Sequence, residues 1–234
     1  MLFLKNPHSV LATLQKRPKD VTEINLSTHP SAAWIQVEEL ARSHRIPINH
    51  DGKRKSPQQR GDQAGRESSS EAVVKERESL NLEKLLQGKG LWLALDCLQD
   101  PQNIGSIFRT ASFFGLNGII LTQERSAPLS SVAYDIASGG LESVPFCIQP
   151  NLQQAFQLAK DKGLWILGSS EHAKASYRTI EKDRNWLLVL GNEEKGMRRL
   201  TEENCDVTCT IPNQGAVTSL NVATAASILI AHLT

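Results

Sequence analysis

The sequence predicts an α/β protein in which a mostly parallel sheet is covered by helices on both faces and preceded by a small α/β module. Three observations carry this. From Leu91 onward, short strongly apolar runs alternate with helical patterns, the rhythm of strands buried on both faces. Three polar, glycine-containing stretches sit at the ends of apolar runs: DPQNIGSIFRTA (100–111), LVLGNEEKGM (188–197) and IPNQGAVTSLNVATAASI (211–228). Residues 50–71 hold almost no aliphatic side chain and are rich in Gly, Ser, Gln and charge, so they cannot bury apolar surface and read as a mobile loop or linker.

Before that polar stretch, HSVLATLQKRP reads as a helix with Val10, Leu11 and Leu14 on one face, stopped near Pro18. VTEINLS alternates as a short strand. SAAWIQVEELARSH is a second helix with Ser31 as N-cap and Trp34, Val37, Leu40 and Ala41 facing inward, and RIPINH is a further strand. SEAVVKE, beyond the polar stretch, reads as a strand added to this module, and residues 79–89 as a short polar helix leading onward. The expected organisation is a module over 1–78, a linker over 79–90 and the larger domain over 91–234.

In the larger domain LWLALDCL is the first strand and NIGSIFRTASFFG a helix closed by Gly115. There follow NGIILTQ (strand), SSVAYDIASGG (helix), VPFCIQP (strand) and LQQAFQLAKDKG (helix). LWILGSS and NWLLVLG are strands, MRRLTEENC a helix, VTCTIP a strand and SLNVATAASILIAHL a C-terminal helix.

Composition narrows the class. Among 234 residues, 40% are hydrophobic and 22% charged, ordinary values for a globular protein. No apolar run reaches the ~18 residues that span a bilayer, and the N-terminus lacks the apolar core of a signal peptide. The four cysteines are scattered without CxxC or zinc spacing, which favours buried free thiols and a reducing cytoplasm. The six histidines are dispersed, so no histidine metal site is expected. The net charge of +1 hides an asymmetry: residues 1–90 carry 15 basic and 11 acidic side chains. The excess falls around Lys53, Arg54, Lys55, Arg60 and Arg66, where it either helps hold a phosphate backbone or is incidental charge on a solvated linker.

The motifs also exclude classes. GNEEKGM lacks the GK-Ser/Thr of a P-loop, no GxGxxG follows the first strand, and no Gly-x-Ser-x-Gly elbow is present. Loops leaving strand ends are where parallel α/β folds keep their chemistry. Asp100-Pro101 sets a turn, and Asn103 is placed to cap the helix that carries Arg109. Six residues separate Asn103 from Arg109, so the two point to different faces, and only a loop folding over the helix brings both to one pocket. Gly191 permits close backbone approach to a ligand and Gly196 a tight turn. Glu194 and Lys195 read as ordinary loop charges.

In this order and spacing, the three stretches resemble the signature motifs of the SpoU family of RNA ribose 2′-O-methyltransferases, within the SPOUT superfamily. The resemblance runs from Leu91 to the end and implies a trefoil-knotted SPOUT methyltransferase domain. More weakly, residues 1–78 are similar to the L30e-like substrate-binding domain of the rRNA-modifying branch. The resemblance implies S-adenosylmethionine as cofactor, held by Gly191, Ile211 and Leu220 with Leu190 and Val222 alongside. It implies an active centre of Asn103, Arg109, Glu193, Ser219 and Asn221, with Arg109 serving the ribose 2′-hydroxyl or holding the RNA phosphate. It also implies a homodimer and an RNA substrate, a guanosine of large-subunit rRNA ahead of a tRNA. A catalytically silent RNA binder is the rival from another class. Two positions depart from the family pattern: Gln102 stands where His is frequent, and Asn213-Gln214 replaces Met-Ala.

Overall fold

The structure, a computed structural model, describes residues 1–50 and 69–234. Most of the polar stretch, residues 51–68, and its basic cluster lie outside the described residues. The N-terminal part comprises strand β1 (Leu2–Leu4), helix α1 (Pro7–Lys16), a 3-10 turn (Pro18–Asp20), β2 (Val21–Asn25), α2 (Ala32–Ser43), β3 (Ile48–Asn49) and β4 (Glu71–Val74). Its sheet runs in the order β1-β4-β2-β3. SEAVVKE therefore supplies an inner strand, antiparallel to both neighbours. The strand over LFL went unread because three residues are too few to establish alternation. Ser31 takes the N-cap position of α2, but its side chain makes no capping bond.

Helix α3 (Leu82–Leu85) follows. It is not the polar bridge expected: Leu82, Leu85 and Leu86 are buried, and the Trp92 indole Nε1 donates to Leu85 O at 2.8 Å. The larger domain continues with β5 (Leu91–Leu95), α4 (Pro101–Phe114), β6 (Gly118–Thr122), α5 (Ser131–Ala137), α6 (Gly140–Ser143) and β7 (Phe146–Gln149). Then come α7 (Gln153–Asp161), β8 (Trp165–Ser169), β9 (Ala175–Ser176), a 3-10 turn (Tyr177–Thr179), β10 (Trp186–Leu190), α8 (Arg199–Glu203), β11 (Val207–Thr210) and α9 (Val222–Leu233). The two-residue β9 and the single turn α6 were not legible as separate elements.

The larger sheet is ordered β7-β6-β5-β10-β8-β11-β9, and each of these pairings is parallel. Its strands are apolar throughout because both faces are covered, yet the alternation survives. Leu91, Leu93 and Leu95 of β5 enter one core with Leu188 and Leu190 of β10. Trp92 and Ala94 enter the other with Leu187 and Val189. The first core also holds Leu4, Val10, Leu14 and Ile24, so it runs on into the N-terminal sheet.

Strand order reverses beside β5. The chain builds outward through β6 and β7, crosses to β8, and returns to insert β10 between β5 and β8. In an open parallel sheet, such a reversal opens a crevice at the C-terminal strand ends, the usual place for a ligand. After β11 the chain runs back across those ends, and α9 packs against α4.

Candidate active site

The site is built at that reversal. Asp100, not Asn103, caps α4: its carboxylate accepts from the Gln102 backbone N–H at 2.8 Å. Asn103 lies one turn in, only 7% exposed, and its side chain is thereby free for longer reach. Its Nδ2 donates to Glu193 Oε1 at 3.1 Å, and its Oδ1 accepts from Asn221 Nδ2 at 2.8 Å. One hydrogen-bonded chain, Glu193–Asn103–Asn221, thus joins all three motifs. Asn221 serves two ends at once, since its Oδ1 caps α9 by accepting from the N–H groups of Ala223 and Thr224.

Glu193 is held from several sides. It accepts from the backbone N–H groups of Gln99 and Asp100 at 3.3 and 3.2 Å, and from Asn192 Nδ2 at 3.2 Å. Burial pushes its carboxyl up, but the bonds from Asn103 and from the backbone N–H groups of Glu193, Asp100 and Gln99 outweigh burial, leaving it below the usual carboxylate range. A lowered native pKa contributes stability that is fully present above the unfolded value, about 4.3, and is lost as pH falls through the native value. The melting-temperature gap between wild type and Glu193→Gln is therefore expected to stay level from about pH 7 to about pH 5 and to narrow below that. A gap already closing between about pH 6 and 5 would contradict the ionised, hydrogen-bonded carboxylate.

The glycines of the second motif shape this loop. A Cβ at Gly191 would lie 2.1 Å from Met197 N and 2.2 Å from Gly196 C. The side-chain position at Gly191 is thus taken by the loop's own backbone, so any larger residue would displace the turn. Gly196 makes the turn at φ +66°, and Asn192 and Gly196 exchange backbone bonds of 2.9 and 3.0 Å.

Arg109 and Ser219 are not brought into the chain of bonds. Arg109 is exposed on the outer face of α4 and has no hydrogen-bond or ion-pair partner among the described residues. Ser219 is exposed, as is the rest of the stretch 212–220. Of the residues assigned to the cofactor, Leu190 and Gly191 are buried at the end of β10, Ile211 and Val222 are half-buried, and Leu220 is 51% exposed. In the sheet β8 lies between β10 and β11; Ile211 packs against the core, while Leu220 is left unpacked.

Sequence reading missed Asp96, the charged residue inside LWLALDCL. It is fully buried at the end of β5. It binds Arg198 Nη2 at 2.7 Å and accepts from Thr201 Oγ1 at 2.7 Å and from Arg198 N at 3.2 Å, fixing where the second motif enters α8. A lone carboxylate in an apolar run was the available signal, since such a group is buried only with partners. The cysteines are free, as expected; burial pushes the Cys205 and Cys209 thiols up to about 12 and about 11.

A parallel α/β domain with a polar centre at its strand-order reversal belongs to the class of enzymes that bind ligand across C-terminal strand ends. The particular family follows from comparison: residues 90–231 match the model of the SpoU rRNA Methylase family. The "23S rRNA (guanosine-2′-O-)-methyltransferase RlmB" of Nitrosomonas europaea is 33% identical over 228 residues, covering 94% of this chain and 86% of that protein. The protein of the same name from Pseudomonas aeruginosa is 33% identical over 231 residues, covering 94% and 91%. The SpoU methyltransferase AviRb from Streptomyces viridochromogenes, in complex with AdoMet, superposes with a TM-score of 0.80 at 22% identity, covering 99% of this chain and 88% of that one. The chain belongs to the SpoU methylase family, and its fold is the SPOUT methyltransferase fold expected from the motifs.

Proposed function

We propose that this protein transfers the methyl group of S-adenosylmethionine to a ribose 2′-oxygen of RNA, at a guanosine of large-subunit rRNA. The bonded chain Glu193–Asn103–Asn221 is the observation that carries the reaction, because it assembles the three motifs into one centre. The rRNA substrate is supported by relatives that match 94% of the chain, N-terminal part included, and are named for a 23S rRNA guanosine. Residues 1–78 are then the RNA-binding module, 79–90 the linker and 91–234 the methyltransferase domain.

Gly191, Ile211 and Leu220, flanked by Leu190 and Val222, hold the cofactor through backbone groups and apolar walls. When bound, the cofactor supplies a methyl already activated by the positive sulfonium. The remaining work is alignment of the 2′-oxygen and removal of its proton. Asn103, rigid between Glu193 and Asn221, fixes the start of α4. Ser219 and Asn221 present polar groups beside it. Arg109 acts on the RNA side, since a guanidinium has a pKa above 12 and suits a phosphate better than a base role.

Arg109 stands well away from Asn103, about 9 Å along the helix axis. On its outward face, Phe113 is 83% exposed. A homodimer that covers this face and brings the partner's arginine to the centre accounts for both. The setting is the cytoplasm, where rRNA is; among the described residues no helix is long and apolar enough to cross a membrane.

The test is nucleoside mass spectrometry of rRNA and tRNA from a deletion strain, the parent and an Arg109→Ala complement. The expected result is loss of one 2′-O-methylguanosine from large-subunit rRNA, unrescued by the Ala form. Loss from tRNA instead would retire the rRNA assignment, and no loss from either pool would leave a silent RNA binder.

A further inference from the structure

Beside the centre lies a cavity of about 350 Å³ whose lining includes Cys97, Arg125, Glu194, Lys195, Arg198 and Arg199. Four cations face one carboxylate there. The same Arg198 and Arg199 also line a second cavity, of about 480 Å³, between α7 and α8. The first cavity is bordered by Gln99, whose N–H also holds Glu193.

Three features mark this first cavity as built for an anion. Arg198 is held in place by the fully buried Asp96, while its Nε is itself buried without an acceptor among the described residues. Buried donors are nearly always satisfied, so this Nε is open to an acceptor brought by water or by a ligand. Two of the four non-glycine residues with left-handed backbone among the described residues, Cys97 at φ +62° and Arg125 at φ +58°, line this one cavity. Such strain is held where a site needs it. Finally, Arg125 and Lys195 have no carboxylate partner among the described residues, and Arg199 has only the exposed i,i+4 partner Glu203, so their charge is available.

We propose that Arg125, Lys195, Arg198 and Arg199 form a phosphate-binding track that guides the RNA strand into the methyl-transfer centre. This rests on the function proposed above. Four separate cations around one cavity fit the spaced phosphates of a polymer better than one small anion. None of the four cations is among the residues assigned to the cofactor, so the track is expected to leave cofactor binding untouched.

The test compares wild type with Arg125→Gly, Lys195→Ala, Arg199→Ala and the triple variant. Arg198 is left in place because it neutralises Asp96. Binding of an unmodified 23S rRNA transcript is measured from about 50 to about 300 mM salt, and S-adenosylmethionine binding by calorimetry. Each single variant is expected to weaken RNA binding about 3- to 10-fold and to lower the salt slope by about 0.7–0.9. Cofactor affinity is expected to be unchanged. Arg125→Gly is also expected to melt no lower than wild type, because glycine adopts the positive φ without strain, so weaker binding there is not unfolding. RNA affinity and slope unchanged in the triple variant, with wild type binding and methylating RNA, would overturn the track and leave the function standing. Weakened cofactor binding with RNA binding intact would make the cavity a site for the cofactor's carboxylate and likewise overturn it. Wild type that binds no RNA would overturn both.

Discussion

Arg109→Ala is expected to lower kcat/KM for methyl transfer to rRNA about 10²- to 10⁴-fold, the range of a group that assists proton loss or positions the reacting phosphate. Stability should change by less than about 0.5 kcal/mol, because Arg109 is exposed and has no partner among the described residues. The helix that carries it is anchored elsewhere. Asn103 ties its first turn to Glu193 and Asn221, and Thr110 Oγ1 meets Ser227 Oγ of α9 at 3.1 Å. Lysine at this position keeps the charge but loses the planar fork, so Arg109→Lys should recover little activity. Kinetics at saturating cofactor, with thermal melts of the same preparations, make the comparison. An alanine form within about tenfold of wild type would remove Arg109 from the centre.

Arg17→Met is expected to cost about 3–5 kcal/mol and to lower the melting temperature by about 6–20 °C. Arg17 Nε and Nη2 grip the two oxygens of Glu142 at 2.9 and 2.7 Å, and the Glu142 side chain is 1% exposed. Thr13 Oγ1 adds a bond of 3.0 Å to the same carboxylate. Burial opposes the Arg17 charge, but Glu142 outweighs it and leaves the guanidinium above its ordinary value. Methionine would strand the Glu142 charge in the interior, which is why one-sided removal is so costly. The double change Arg17→Met with Glu142→Leu should recover most of the loss. A single variant that melts within about 2 °C of wild type would show that water reaches Glu142.

This pair also joins α1 to α6, the small sheet's helix to the larger domain. Around it, Asp135 accepts from the backbone N–H groups of Lys5 and Asn6, Ser9 Oγ donates to Tyr134 O, and Arg77 Nη1 donates to the carbonyls of Leu141 and Val144. The N-terminal part is thus set against the methyltransferase domain by directional bonds between residues more than 60 positions apart. Nothing in the local sequence of α1 distinguishes Arg17 from the neighbouring exposed Lys16, because its role depends on a carboxylate contributed by a distant turn.

The site was legible in kind and not in arrangement. The residues of the bonded chain stood out because Asn, Glu and glycine at the ends of apolar runs serve no core. That Asn103 bridges the other two was hidden by its position, since an Asn two residues after Asp-Pro reads equally well as a cap. Asp100 takes that part because Pro101 fits the first helical position, whose N–H needs no partner. Lys195 reads as an ordinary loop charge because its local neighbours give no sign that Arg125, from the loop after β6, lines the same cavity.

The alternation of strands and helices is written in the local residue pattern, because burial on both faces demands continuous apolar runs and exposure of one helix face demands polar ones. The family is written there too, through three motifs whose order and residue types few other folds share. The folded chain alone shows that β10 inserts between β5 and β8, that Glu193 and Asn221 meet Asn103 across 90 and 118 residues, and that Asp96 is tied to Arg198. Each of those depends on strand order and crossover, and these follow from the packing of distant segments, which no local pattern of residues encodes.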